Sequence, residues 1–235
     1  MSIAPVARPT SDLVWRVDLD APPVDASCLS QAERDRAARF VFQRDRERFI
    51  AAHVTLRQIL SSHTGVAASQ LEFVQGEAGK PALVRPAGVQ FNLSHSKSVA
   101  LVAIGNGAAE IGVDIEVLRP MPDAEAMAAS YFTEAEQRAL AAVPASLRER
   151  AFLTCWTRKE ACLKAIGLGL GVDTRTFEAG VDAHDREVLM PMDDGKVLVA
   201  VSSFDGGEGV VCAIARRLFT ETGANRPTHE SELYA

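Results

Sequence analysis

The stretch Ile111-Gly112-Val113-Asp114-Ile115-Glu116 sets two carboxylates two residues apart in an apolar, β-branched run. A strand has a side-chain period of two, so Asp114 and Glu116 leave one face and Ile111, Val113 and Ile115 the other. Like charges side by side repel unless a cation lies between them. The pair is therefore either the acidic end of a strand or part of a divalent-metal site. Glu160 and Lys164 are four apart, which on a helix places both on one face; the plainest reading is a surface ion pair. Ser94-His95-Ser96 offers two hydroxyls and an imidazole. Nucleophilic catalysis would need a third, orienting group and a strained turn, neither of which is visible, so hydrogen bonding to phosphate is the more economical role. Lys80 sits between Gly79 and Pro81, whose backbones leave it little choice of direction.

These residues need elements to hold them. Leu13, Trp15, Val17 and Leu19 alternate with Val14, Arg16 and Asp18, which predicts a strand with one buried face, ended by Pro22 and Pro23. Ser30-Gln31-Ala32-Glu33 is a capping-box signature opening a helical stretch. Its continuation gathers Phe49, Ala52, Leu56, Ile59 and Leu60 on one face, with Arg46, Arg48 and Arg57 elsewhere. Arg34, Arg36, Arg39, Arg44, Arg46 and Arg48 make this segment basic. Asp35, Asp45 and Glu47 offset it at helical spacing, which reads as a solvated helix surface; the alternative is that one or two of the arginines contact an anionic ligand.

Val99 to Ile104 and Ile111 to Val117 flank a Gly-containing loop and read as a β-hairpin, which would bring His95 near Asp114. After Pro120 and Pro122 the character turns helical. Thr133-Glu134-Ala135-Glu136 is a second capping box, and a longer helix from about Leu147 to Ile166 closes on Gly167. Phe177, Val188 to Met190, Val197 to Val201 and Val210 to Ala215 are the remaining strands. The glycines at 167, 169 and 171 lack the spacing of a nucleotide-binding loop. The fold class expected is α+β, with two lobes in one chain: residues 11–116, residues 117–219 carrying the Trp156–Glu160 helix, and a polar tail over 220–235.

Composition narrows the function. The chain has 235 residues, 47% hydrophobic and 24% charged, with a net charge of −6, which speaks against a general nucleic-acid binder. Cys28, Cys155, Cys162 and Cys212 show no zinc spacing. Cys155 and Cys162, seven apart on a helix, would have Cα atoms about 10 Å apart, too far for a disulfide. No signal-peptide core and no apolar run of roughly 18 residues is present, so a cytoplasmic protein with no membrane partner is expected.

Taken in order, Gly79-Lys80-Pro81, Phe91-Asn92-Leu93-Ser94-His95-Ser96, Ile111 to Glu116, Phe132-Thr133-Glu134-Ala135-Glu136 and Trp156-Thr157-Arg158-Lys159-Glu160-Ala161-Cys162-Leu163-Lys164 resemble the motifs of a 4′-phosphopantetheinyl transferase of the long, surfactin-synthetase-activating type. The resemblance implies two pseudo-twofold-related α+β lobes with coenzyme A bound between them. It implies transfer of the phosphopantetheine arm to a serine of an apo acyl or peptidyl carrier protein, as in fatty acid, polyketide or non-ribosomal peptide synthesis, with release of adenosine 3′,5′-bisphosphate. Asp114, Glu116 and Glu160 would bind Mg²⁺ at the pyrophosphate, and Lys164 would approach the same phosphates. Arg48, Lys80, Ser94 and His95 would contact the nucleotide and its 3′-phosphate. Glu160 is the expected base for the carrier serine, with Asp114 and Lys164 as its catalytic partners. A monomer suffices, since both lobes lie in one chain. Two other readings use the same residues: a metal-dependent phosphohydrolase with water as nucleophile, and a non-catalytic coenzyme A-binding protein.

Overall fold

The computed structural model describes residues 3–6, 12–21, 25–76, 79–107, 109–168, 171–192 and 195–218. The polar tail expected over 220–235 and the Pro22-Pro23 pair lie outside them. In chain order the first half runs β1 (Ile3–Pro5), β2 (Leu13–Asp18), α1 (Gln31–Ala38), α2 (Gln43–Thr64), β3 (Phe73–Gln75), β4 (Pro81–Leu83), β5 (Phe91–Ser96) and β6 (Val99–Ile104). The second runs β7 (Ile111–Val117), α3 (Ala124–Tyr131), α4 (Glu134–Ala142), α5 (Ala145–Ile166), β8 (Arg186–Met192), β9 (Gly195–Phe204) and β10 (Val210–Leu218).

Both capping boxes form. The Ser30 and Thr133 hydroxyls accept from the Glu33 and Glu136 amides, and each glutamate reaches back to the cap backbone. The basic helical stretch is not continuous: α1 stops at Ala38, and α2 begins after an exposed Phe40-Val41-Phe42 connection. α2 and α5 are each 22 residues long and each end on a glycine at positive φ, Gly65 at 75° and Gly167 at 71°.

Two four-stranded antiparallel sheets, ordered β1-β2-β6-β5 and β7-β10-β9-β8, lie between these helices. Val17, Ala100, Val102 and Phe91 pack with α2 residues Ala52, Leu56 and Leu60. Val199, Val201, Ala213 and Ala215 pack with α5 residues Ala161, Cys162 and Ala165. Val14, Val99, Leu101 and Ala103 of the first sheet meet Ile111, Val113, Ile115, Cys212 and Ile214 of the second. The layers are thus helix, sheet, sheet, helix. Within them the order β2-β6-β5 repeats as β7-β10-β9, each trio following the same strand, helix, strand, strand path.

Several expectations change. β6 pairs with β2 and β5, and β7 pairs with β10, so the expected β6–β7 hairpin does not exist. All six β6 residues are buried, and each strand finds a long partner within its own sheet, leaving the connection to cross between sheets. β2 is covered on both faces rather than one: Val14 enters the inter-sheet core while Val17 faces α2, and Leu13 is exposed. Phe177 is buried just after a 3-10 turn at Thr174–Thr176 and is not in a strand. The four cysteines are free thiols, three of them buried.

Candidate active site

β5 and β7 run beside each other where the two sheets meet, and side chains of β5 bridge the gap. The period of two sends Asn92, Ser94 and Ser96 toward β7. Asn92 Oδ1 accepts the Val113 amide at 2.9 Å, and Ser94 Oγ donates to Asp114 Oδ1 at 2.7 Å. Ser96 Oγ donates to Glu116 Oε2 at 2.8 Å and accepts the Val117 amide at 3.2 Å. A small-polar residue at every second position of β5 thus sets the register of the acids on β7.

α5 supplies the third side of the site. Gly112 lies against its backbone: a Cβ there would overlap the Ala161 carbonyl oxygen and the Ala165 amide nitrogen. The absent side chain lets the helix settle onto β7, so that Lys164 Nζ donates to Asp114 Oδ1 at 2.6 Å and to Ser94 Oγ at 3.0 Å. Asp114 is 5% exposed, and its second oxygen, Oδ2, is buried without a hydrogen-bond partner. Burial pushes the Asp114 carboxyl up, and Lys164 and Ser94 oppose that. Glu160, one turn before Lys164 on α5, makes no hydrogen bond or ion pair among the described residues. Burial raises its pKa, Lys164 pulls it down, and Asp114 and Glu116 push it up. The two expected ends of the site, on β7 and α5, are therefore within reach of one another's charge.

The remaining candidates are distributed differently from expectation. Glu116 Oε2 is held by Ser96 and, at 2.7 Å, by Arg119 Nη1. Arg119 was not among the sequence candidates; the signal available was its position three residues after Glu116. His95 leaves the opposite face of β5 from Ser94, and it is Ser94 that touches Asp114. The two side chains therefore leave β5 on opposite faces. Crowding by neighbouring protein, then the charges of Lys164, His53 and Arg36, hold the His95 imidazole below its usual range. Arg48 makes a bidentate pair with Asp20, at 2.6 and 2.7 Å. Lys80 Nζ donates to the carbonyls of Ile111, at 2.8 Å, and Ala165, at 3.2 Å. Among the described residues no three His, Cys, Asp or Glu side chains form a ready cluster for a metal ion. Lys164 pairs with Asp114 Oδ1, and Arg119 pairs with Glu116.

Two family models meet at the crossing between the sheets. Residues 15–106 match the 4′-phosphopantetheinyl transferase N-terminal family, and residues 110–215 match the 4′-phosphopantetheinyl transferase superfamily. The chain is 40% identical over 164 residues to 4′-phosphopantetheinyl transferase HetI of Nostoc, a match covering 67% of this chain and 69% of that protein. It belongs to the 4′-phosphopantetheinyl transferase superfamily. It is also 25% identical over 188 residues to 4′-phosphopantetheinyl transferase Sfp of Bacillus subtilis, covering 80% of this chain and 82% of that one. A 97-residue stretch is 41% identical to 4′-phosphopantetheinyl transferase AcpT of Salmonella typhimurium, 41% of this chain and 50% of that one.

This chain is accordingly an enzyme, a transferase of phosphopantetheinyl groups. The family match ending at 106 and the one beginning at 110 fall on either side of the loop between β6 and β7, so the transferase carries Asp114 and Glu116 at the start of its second half. No helix among the described residues is long and apolar enough to cross a membrane.

Proposed function

We propose that this transferase moves the 4′-phosphopantetheine arm of coenzyme A onto a serine of an apo acyl or peptidyl carrier protein, in a Mg²⁺-dependent reaction, as a monomer. The observation that carries the reading is the Asp114–Lys164–Ser94 node with its orphaned carboxylate oxygen beside Glu160. A buried carboxylate oxygen without a partner is costly, and a hard cation is the ligand that relieves it. Mg²⁺ binds through one or two carboxylates, with phosphate and water completing the shell, so the donor set fits without a compact three-acid cluster. Asp114 would hold the ion through Oδ2, with Glu116 and Glu160 as its neighbours. When bound, it supplies charge neutralisation on the pyrophosphate oxygens.

The protein's own groups do the rest. The serine oxygen forms a bond to the phosphorus bearing the pantetheine arm. The bridging bond to the adenosine-side phosphate breaks, and adenosine 3′,5′-bisphosphate leaves with the electron pair. Lys164 stabilises charge on the transferred group. Glu160, the acid left unpaired, takes the serine proton directly or through a water. His95 and Arg48, both on the first lobe, would contact the nucleotide, Arg48 by exchanging its Asp20 partner for phosphate.

The test incubates the protein with coenzyme A, Mg²⁺ and a panel of apo carriers, and weighs each carrier. A carrier heavier by one phosphopantetheinyl group supports the reading. Cleavage of coenzyme A at the same rate without carrier identifies a phosphohydrolase instead. Binding without any cleavage identifies a coenzyme A-binding protein.

A further inference from the structure

Lys80 lies on the turn between β3 and β4, yet the two groups it touches belong to β7 and α5. Its root is fixed: the Gly76 amide donates to the Lys80 carbonyl at 2.9 Å, and the Gly79 amide to the Gly76 carbonyl at 2.9 Å. From there the side chain crosses to the Ile111 carbonyl, at the first residue of β7, and to the Ala165 carbonyl, in the last turn of α5. A Cβ on Gly167, the glycine closing α5, would lie 3.8 Å from Lys80 Cδ, so the stem packs along the helix end as well. The last carbonyls of a helix have no partner within it, and they carry the negative end of its dipole. A lysine amine is suited to both.

The place of this contact matters because Gly112, next to Ile111, is where the α5 backbone rests on β7, against Ala161, Lys164 and Ala165. The amine thus ties together the same two elements one residue away from their closest approach. Those elements carry Asp114 on one side and Glu160 and Lys164 on the other. We propose that Lys80 is a positioning residue for phosphopantetheinyl transfer: from the first lobe, it pins the start of β7 to the end of α5 and so holds Lys164 and Glu160 in register with Asp114. The inference rests on the transfer reading above for its kinetic consequence, though the contact itself does not. It assigns Lys80 a different role from the nucleotide contact that the sequence resemblance implies, because an amine committed to two carbonyls is not free to grip a phosphate.

Burial supports the same picture: it lowers the Lys80 amine to about 8, and Glu110 is the charged group that opposes the shift. An amine that moved onto a phosphate would instead be driven upward.

The experiment compares the wild-type enzyme with Lys80→Met, which keeps the stem and removes the donors, on coenzyme A and on 3′-dephospho-coenzyme A. Misplacement of reacting groups lowers turnover steeply, so kcat should fall on the order of 10- to 100-fold for both donors. KM for either donor should change by less than about twofold, leaving the preference between them intact. Lys80→Arg, which retains donors at that end, should restore part of kcat. A rise in KM for coenzyme A alone, or an unchanged kcat, would overturn the proposal. Should Lys80→Met not fold, the ¹⁵N signal of the Lys80 amine in the wild-type protein decides. A titration midpoint unchanged by saturating coenzyme A supports the proposal, and an upward move contradicts it. That measurement needs binding but no turnover, so it separates failure of this inference from failure of the transfer reading.

Discussion

Arg57 and Lys159 hold the same position in the two long helices: each is the fifteenth residue, counting 43 to 57 in α2 and 145 to 159 in α5. Each is buried and pairs at 2.8 Å with the glutamate of the preceding capping box, Arg57 with Glu33 and Lys159 with Glu136. Each also donates to two carbonyls of a 3-10 turn beyond its helix, that of the turn's first residue and that of the residue after it: Ala68 and Leu71 for Arg57, Thr174 and Phe177 for Lys159. An aromatic ring lies under each cation, Phe73 at 5.0 Å and Phe177 at 4.5 Å. The repeat of the two halves therefore extends to their buried charges. In the second half the cation immediately precedes Glu160, so the clamp that ties α4 to α5 lies in the same helical turn as that carboxylate.

The clamps predict acid sensitivity. Desolvation pushes Glu33 up, but hydrogen bonds from His53, Arg57 and Ser30 outweigh it and hold the carboxyl at about 2. A depressed folded-state pKa gives stability that is present above the unfolded value of 4.5 and is lost as pH falls toward 2. The contribution at neutral pH is about 3 kcal/mol for Glu33. Glu136 is shifted in the same direction despite its burial, by Lys159 and backbone amides. Denaturant melts between pH 6 and 2 should show stability falling below pH 4.5, and Glu33→Gln should flatten part of that slope.

Removing one partner of a clamp should cost more than removing both. Lys159→Met leaves Glu136 buried without its cation and should destabilise the fold by about 3–5 kcal/mol. Combining it with Glu136→Leu should recover much of that loss. Thermal unfolding of the two variants checks this, and equal melting temperatures for both would count against the clamp.

Gly112→Ala tests the packing of α5 on β7. The methyl would overlap the backbone at Ala161 and Ala165, so the helix must shift. The expected cost is roughly 1–3 kcal/mol of stability, together with a loss of turnover larger than any change in coenzyme A affinity. Calorimetric stability and single-turnover rates on one preparation would show whether the two effects arise together.

Much of this architecture is legible in the sequence, and the exceptions share a physical cause. The two capping boxes, the helix ending at Gly167 and the strand carrying Asp114 and Glu116 follow from local rules, and all four form. Ser94 beside Asp114 follows less directly. The alternation of Asn92, Ser94 and Ser96 against Phe91, Leu93 and His95 already separates Ser94 from His95, but only the crossing of β5 over β7 says what Ser94 meets. The false hairpin arose because β6 and β7 are adjacent in sequence and each carries a continuous apolar face, so neither period nor loop length reveals that their partners are β2, β5 and β10. The burial of Arg57 and the carbonyl contacts of Lys80, itself a candidate from the sequence, were hidden by residue type. A cation is ordinarily exposed, and its burial depends on carbonyls and carboxylates contributed from distant positions. The repeat implied by the resemblance is not visible as residue identity for a related reason, since Arg57 and Lys159 perform one job with different side chains.

In the proposed reaction Asp114, held by Ser94 and Lys164, serves the chemical step more than it serves binding. The most direct measurement compares wild type with Asp114→Ala in two assays on folded protein: coenzyme A binding by calorimetry, and single-turnover transfer to an apo carrier followed by intact mass with Mg²⁺ present. The expected result is a transfer rate lower on the order of 10²–10³-fold, with a much smaller change in coenzyme A affinity. Equal losses in rate and affinity, or a transfer rate left unchanged, would contradict it.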